Sequence, residues 1–319
     1  MDRERTDSGV GIAARGDRFD ARRFSHEAMA TVFEVHAVHP DERYAAQAAQ
    51  AAFELVDRLE GELSRFRPNS DIARINHLAA GGSTRVGAST MECLVIARHM
   101  FDLTAGAFDV SIGSGLPSLE LNPEGFLVRA TADGVQIDLG GIGKGYAVDR
   151  MADLLGEWGL ERALVHGGFS SVLALEAPAG RDGWPLTLSD PADPSRVLAA
   201  LTVRQMALGA SGMRKGGHIV DPFTGEPARG RRAAWVAVPR PTVSASAAAT
   251  DAPPPRAAAV TDALTTAFML MSLEAIEALC NRSPGLEAWM LPEPDADLMG
   301  QVSLLHFGGN GPGYTSTSS

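Results

Sequence analysis

Cysteine is nearly absent from the 319 residues: only Cys93 and Cys280 occur. Neither sits in a Cys-x-x-Cys or Cys/His spacing, which excludes a zinc ribbon or a thioredoxin-like motif. The count permits one disulfide, but both residues lie in helix-like apolar stretches where cysteine packs as a small hydrophobe, so two free thiols are expected. Positive charge is also short. The formal net charge is −11, without the basic face that nucleic-acid binding requires. No run approaches the ~18 apolar residues of a membrane span. The opening Met-Asp-Arg-Glu-Arg-Thr-Asp lacks an apolar signal core and a cleavage pattern, so it does not read as a secretory signal and a cytoplasmic location is expected. No internal repeat of fixed period is found.

What is present is a globular composition, 45% hydrophobic, enough for a real core in one large or two modest domains. Residues 1–22 are charged and aperiodic and are expected to be a disordered lead. Thr31 to Val38 alternates and is β-branched, so a strand is predicted there. Ala45 to Phe66 carries Ala49, Ala52, Phe53, Val56, Leu59 and Leu63 at helical spacing, and a second helix is predicted from about Ser89 to Leu103. Gly134 to Leu139 reads as a strand leading into a glycine-rich turn. A helix follows from Lys144 to Trp158, capped by Gly159. Further strands are predicted at 162–166, 171–176, 184–188, 197–203, 235–238, 286–291 and 302–307, with one long helix from Thr261 to Cys280. Pro239 to Ala259 is low-complexity Pro/Ala/Ser and is predicted to be a flexible surface insertion. The domain is therefore placed at 23–310, with a disordered tail at 311–319. Helices mixed with non-alternating strands predict an α+β fold with largely antiparallel sheets.

Five segments carry candidate chemistry. The richest is Asp138-Leu-Gly-Gly-Ile-Gly-Lys-Gly-Tyr146. Glycines let backbone N–H groups approach an anion, a helix N-terminus favours negative charge, and Lys144 adds a cation, which together suit a phosphate or pyrophosphate. A P-loop would need glycine at 138 and Ser/Thr at 145, and a dinucleotide fingerprint would need glycine at 146, so neither motif fits. The same glycines also serve a tight strand–helix turn. In Asp262-Ala-Leu-Thr-Thr266 the first and last residues share a helix face, presenting a carboxylate and a hydroxyl together. That oxygen set suits Mg²⁺, although an aspartate near a helix start is also favoured by the dipole. His218-Ile-Val-Asp-Pro-Phe-Thr-Gly225 combines a histidine suited to general acid/base work with a turn signature. Thr104-Ala-Gly-Ala-Phe-Asp-Val-Ser-Ile-Gly113 is a helix exit, and Leu63-Ser-Arg-Phe-Arg-Pro-Asn-Ser-Asp71 is a polar loop whose Phe66 could stack on a flat ring or anchor a core.

The order of these segments, preceded by Met29-Ala-Thr31, resembles the ApbE family of flavin transferases over roughly residues 24 to 307. The glycine turn with its Lys-Gly-Tyr and the late Asp-Ala-Leu-x-Thr are the most specific pieces. The resemblance implies an ApbE-like (T-fold-like) architecture binding one FAD, as substrate, and Mg²⁺. Met29, Phe66, Ala107, Phe108, Asp109, Asp138, Lys144 and His218 match flavin-site positions. Gly141 matches a backbone-carbonyl metal ligand, and Asp262 and Thr266 match the side-chain ligands. The implied reaction moves FMN from FAD to a Ser/Thr hydroxyl of an acceptor flavoprotein bearing Asp-x-x-Ser/Thr-Gly-Ala-Ser/Thr, with release of AMP. Either His218 or Asp262 would take the hydroxyl proton. The chain itself would be a monomer or homodimer.

The sequence departs from the family pattern at several places. Phe66 replaces a tyrosine. Phe169 stands where Asn or Asp is usual. Met213 to Gly217 is a shortened loop, and a tryptophan segment is missing near Gly115 to Leu121. No lipidated cysteine pattern is seen at the N-terminus. Two other readings use the same residues: an FAD pyrophosphatase yielding FMN and AMP, and a non-catalytic flavin-binding paralogue.

Overall fold

The structure is a computed structural model that describes residues 10–12, 21–111, 113, 115–212, 219–241, 256–293, 303–309 and 314–317. In chain order the elements are β1 (Val10–Ile12), β2 (Arg22–Ala28), β3 (Thr31–Ala37), α1 (Glu42–Leu63), α2 (Asp71–Asn76), β4 (Ser83–Arg85), α3 (Ala88–Leu103), β5 (Leu119–Asn122), β6 (Leu127–Ala130) and α4 (Gly143–Glu157). There follow β7 (Ala163–Gly167), β8 (Ser171–Ala174), β9 (Trp184–Asp190), β10 (Asp193–Val203), β11 (Met206–Gly212), β12 (Arg231–Pro239), α5 (Ala257–Phe268), α6 (Leu273–Arg282), β13 (Glu287–Pro292), β14 (Leu305–Phe307) and β15 (Tyr314–Thr317).

An eight-stranded sheet in the order β14-β13-β12-β11-β8-β7-β3-β2 forms the frame. A four-stranded sheet, β1-β9-β10-β15, and a small three-stranded sheet, β4-β6-β5, complete the set. Every described pairing is antiparallel, as an α+β fold predicts. One face of the large sheet sends Phe33, Val35, Val165, Leu173, Val236 and Met290 into a core shared with the helices. The other face sends Leu164, Val172, Leu208, Trp235 and Leu291 into a second core with Trp184, Leu186, Leu188 and Leu201 of β9 and β10. Burial on both faces explains why β7, β8, β11 and β12 read as apolar runs without alternation.

Local chemistry sets most helix limits. Asp41 caps α1 by accepting from the Arg43 and Tyr44 N–H groups at 2.9 and 3.1 Å, and α1 buries Ala45, Ala49, Ala52, Phe53, Val56, Leu59 and Leu63. The single helix predicted from Thr261 to Cys280 is corrected to two. It breaks after Phe268, and Ser272 caps α6 through the Ala275 N–H at 3.2 Å. The strand predicted at Gly134–Leu139 is also corrected. Residues 135–139 join no sheet and form no regular element; the Asn76 side chain bonds the Ile137 N–H and C=O, and the Asp138 N–H donates to the Val110 carbonyl.

Of the insertion predicted at 239–259, residues 242–255 lie outside the described residues, and both ends are corrected to regular structure. Pro239 still belongs to β12, opposite Met206, and Ala257, Ala258 and Ala259 are buried in the first turn of α5. β1 and β15 fall in the predicted lead and tail and pair with β9 and β10. Cys93 and Cys280 are both free and buried. Among the described residues no helix is long and apolar enough to cross a membrane.

Candidate functional site

The site is built where the N-termini of α4 and α5 converge. Asp138 lies near the end of the stretch at 135–139, and its Oδ1 accepts from the Gly140 N–H at 2.9 Å. Its other oxygen lies 3.2 Å from Arg65 Nε. The chain then turns through Gly140 and Gly141 into α4, whose N-cap, Ile142, offers no side-chain acceptor. Lys144 lies in the first turn of α4, and its Nζ donates back to the Gly140 carbonyl at 3.1 Å. Short residues are required here. A Cβ on Gly145 would lie 2.1 Å from the Ala258 carbonyl oxygen, so only glycine lets α4 meet the start of α5 this closely.

Asp262 comes from the second turn of α5 and is buried. Its Oδ2 accepts from the Gly145 N–H at 2.9 Å and its Oδ1 from the Ser171 hydroxyl at 2.8 Å. Lys144 Nζ lies 3.9 Å from Oδ2. Burial raises the pKa of Asp262 above the ordinary carboxylate value, while Lys144, the Gly145 N–H and the Ser171 hydroxyl each oppose that rise. Thr266 stands one turn further along α5, its hydroxyl donating to the Asp262 carbonyl at 3.3 Å. A Cβ on Gly141 would come 3.4 Å from Thr266 Oγ1 and 3.2 Å from the Phe108 ring, so Gly141, Thr266 and Phe108 are neighbours.

The structure thus brings together Asp138, Gly141, Lys144, Asp262, Thr266 and Phe108. The Thr104 hydroxyl accepts from the Phe108 N–H at 3.0 Å, fixing that loop. Ala107 is half-buried, and Asp109 Oδ1 accepts from the Ser111 N–H at 2.7 Å. Met29 occupies the β2–β3 turn with φ 49°. That turn adjoins Gly168, where a Cβ would lie 2.4 Å from Thr31 Oγ1. Phe66 is 80% exposed, with the Arg65 guanidinium 4.6 Å from its ring centre, so Arg65 links it to Asp138. His218 lies outside the described residues.

Sequence reasoning missed Ser171, Arg65 and Asp149. The Asp149 carboxylate accepts from the Ala258 and Ala259 N–H groups at 3.0 and 2.9 Å. Its only sequence signal is the one-turn spacing from Gly145. Phe223 was also missed; it is 73% exposed, and its ring would lie 3.0 Å from a Cβ on Gly106. Two surface cavities, of ≈ 430 and 330 Å³, lie away from this cluster, beside Arg98 and Arg231 respectively. Among the described residues no group of three or more His, Cys, Asp or Glu could hold a metal. A cation at Asp262 would therefore depend on one carboxylate supplemented by neutral oxygens.

The model of the ApbE family matches residues 29–116 and 114–253. The chain is 25% identical over 217 residues to a FAD:protein FMN transferase of Klebsiella pneumoniae (strain 342), covering 56% of this chain and 66% of that protein's length. It is 26% identical over 291 residues to a FAD:protein FMN transferase of Treponema pallidum (strain Nichols), covering 76% of each. In fold it is similar to flavin transferase ApbE from Vibrio cholerae, with a TM-score of 0.74, 20% identity, and 90% of this chain and 97% of that chain covered. It is likewise similar to the ApbE protein from Thermotoga maritima, with a TM-score of 0.72, 22% identity, and 89% and 96% covered.

Proposed function

The chain belongs to the ApbE family, and from that premise we propose that it transfers the FMN half of FAD to a Ser or Thr hydroxyl of an acceptor protein, with release of AMP. One observation carries the reading. A buried carboxylate, Asp262, is held by the first-turn amide of α4 beside Lys144, at a glycine turn that opens α4. Relatives named FAD:protein FMN transferase support it.

In this reading the FAD pyrophosphate lies beside Gly140 to Gly145, where the Lys144 ammonium and the positive end of the α4 dipole spread its charge. Phe66 and the Ala107–Asp109 loop hold the flavin side, with Met29 and Asp138 at its edge. The donor set fits Mg²⁺. Asp262 is a buried carboxylate whose charge is only partly met by a lysine at 3.9 Å, and the Thr266 hydroxyl faces Gly141. The Asp262 carboxylate, the Thr266 hydroxyl and the Gly141 carbonyl would offer oxygen, the choice of hard cations. A bound Mg²⁺ supplies positive charge to the phosphoryl and leaving oxygens. The acceptor oxygen forms a bond to the FMN-side phosphorus as the bond to the AMP oxygen breaks, and AMP leaves with that electron pair. Both Asp262 oxygens accept hydrogen bonds that orient the carboxylate, and the hydroxyl proton goes to either His218 or Asp262 in this reading.

The test is incubation of the protein with FAD and Mg²⁺, with and without an acceptor bearing the flavinylation motif, following AMP and flavin fluorescence on a denaturing gel. Labelled acceptor is expected, and Asp262→Ala is expected to lower turnover by roughly a hundredfold or more while remaining folded. Normal turnover in that variant would remove the metal assignment. AMP without label would replace transfer by hydrolysis.

A further inference from the structure

We propose that Asp149 is a positioning residue for the metal-binding face of α5, acting through a reciprocal clamp between α4 and α5; this rests on the metal reading of Asp262 and Thr266.

The clamp follows from where two carboxylates go. Neither helix caps itself: Ile142 before α4 and Arg256 before α5 make no side-chain capping bond. Each helix is capped by the other. Asp149 of α4 bonds two first-turn amides of α5, those of Ala258 and Ala259. Asp262 of α5 bonds a first-turn amide of α4, that of Gly145. Gly145 and Asp149 are one turn apart on α4, and Ala258 and Asp262 are one turn apart on α5. The Gly145–Ala258 approach lies between the two bonding ends.

A simpler arrangement would satisfy the same amides. Ser, Thr, Asp or Asn at position 256 would cap α5 locally. The chain instead buries an aspartate in the α4–α5 contact. Burial pushes the Asp149 carboxyl up to about 7, against the pull of the two amides and of Arg256. A local cap would leave this tie between α5 and α4 unmade. The cross-helix cap fixes the start of α5 to a point one turn beyond Gly145, and so fixes Asp262 and Thr266 against Gly141. Asp149 touches neither metal nor flavin in this arrangement; it acts through α5.

The experiment measures Mn²⁺ and Mg²⁺ binding to the full chain loaded with FAD, by paramagnetic resonance and calorimetry, alongside FAD affinity in chelator and the melting temperature. Asp149→Asn keeps the size and one acceptor but presents an N–H₂ to the second amide. Its metal affinity is expected to fall roughly 10–100-fold, as for other residues that orient a ligand, with FAD affinity in chelator within about twofold of the parent. Turnover should recover at high Mg²⁺, as a change in the metal requirement and not in the limiting rate. Asp149→Ser, smaller and with one hydroxyl acceptor, serves if the Asn variant does not fold. Unchanged metal affinity in either folded variant overturns the proposal. So does a parallel loss of FAD affinity, metal affinity and melting temperature, which would mark simple destabilisation. Absence of metal binding by the parent, or parent-like binding by Asp262→Ala, would instead sink the metal reading itself.

Discussion

Among the described residues Lys144 has no tight carboxylate partner. Its Nζ is 3.9 Å from Asp262 and bonds only the Gly140 carbonyl among its described partners. A lysine so placed can turn to a phosphate oxygen at little cost. Lys144→Ala is therefore expected to weaken FAD binding by roughly 1.5–3 kcal/mol, the range for hydrogen bonds to charged groups, or roughly 10–100-fold. Quenching of flavin fluorescence on titration measures it, and an unchanged affinity would remove Lys144 from the phosphate site. At this scale the sequence was informative where the chemistry is local. Asp138, Gly141 and Lys144 fall within seven residues, and Asp262 and Thr266 within five. It was silent on Ser171 and Asp149, because their partners lie 91 and 109 residues away. Nothing in a buried aspartate's neighbours along the chain tells which distant amides it will meet.

The elements show where pattern stops and packing takes over. Helical period located α1, α3 and α4 to within a few residues of their limits. The same period ran through Met269 to Ser272 and joined α5 to α6, because apolar spacing continues across a break that a serine cap makes. Gly134–Leu139 has a strand's composition, yet its backbone groups are taken by Asn76 and Val110. Gly145 gives the sharpest test of packing against propensity. Alanine is favoured over glycine inside a helix by roughly 0.5–1 kcal/mol, so local reasoning expects Gly145→Ala to stabilise α4. The new Cβ would instead lie 2.1 Å from the Ala258 carbonyl oxygen, 2.5 Å from its carbon and 2.9 Å from Ala259 Cα, all backbone. α5 cannot easily retreat, since Gly209 of β11 already meets Thr261 closely on its other side. A net loss of roughly 1–3 kcal/mol or more is expected, as in overpacked cores. A lower melting temperature with weakened metal binding is the outcome; a higher melting temperature would show that the two helices can part.

For the molecule as a whole, the two cores set opposing responses to pH. On the sheet face away from the helices, His166 is buried, and its Nε2 has no hydrogen-bond partner among the described residues. Burial first, and then His36, lower its pKa from 6.5 to about 4, against the influence of Glu34 and a bond with the Gly168 backbone. The unfolded chain thus binds a proton that the folded chain refuses. His166 contributes stability that is complete above pH 6.5 and is lost as pH falls toward 4, by roughly 3 kcal/mol at ~1.4 kcal/mol per unit. Between the helices, Asp149 is raised from 3.8 to about 7. Its contribution is complete below pH 3.8 and is lost as pH rises through 7, by roughly 4 kcal/mol on the same conversion. Asp262 acts in the same direction as Asp149. The terms oppose each other across the same window, which flattens the parent's stability between pH 4 and 7. Single substitutions should separate them. Measured by denaturant unfolding at several pH values without FAD, His166→Leu should gain on the parent as pH falls from 6.5 to 4. Asp149→Asn should fall behind it as pH drops from 7 to 4. Divergence in these directions would show that each core carries its own titrating group. Parallel curves would mean that neither residue titrates in the folded protein as its burial implies, and the flatness would then need another cause.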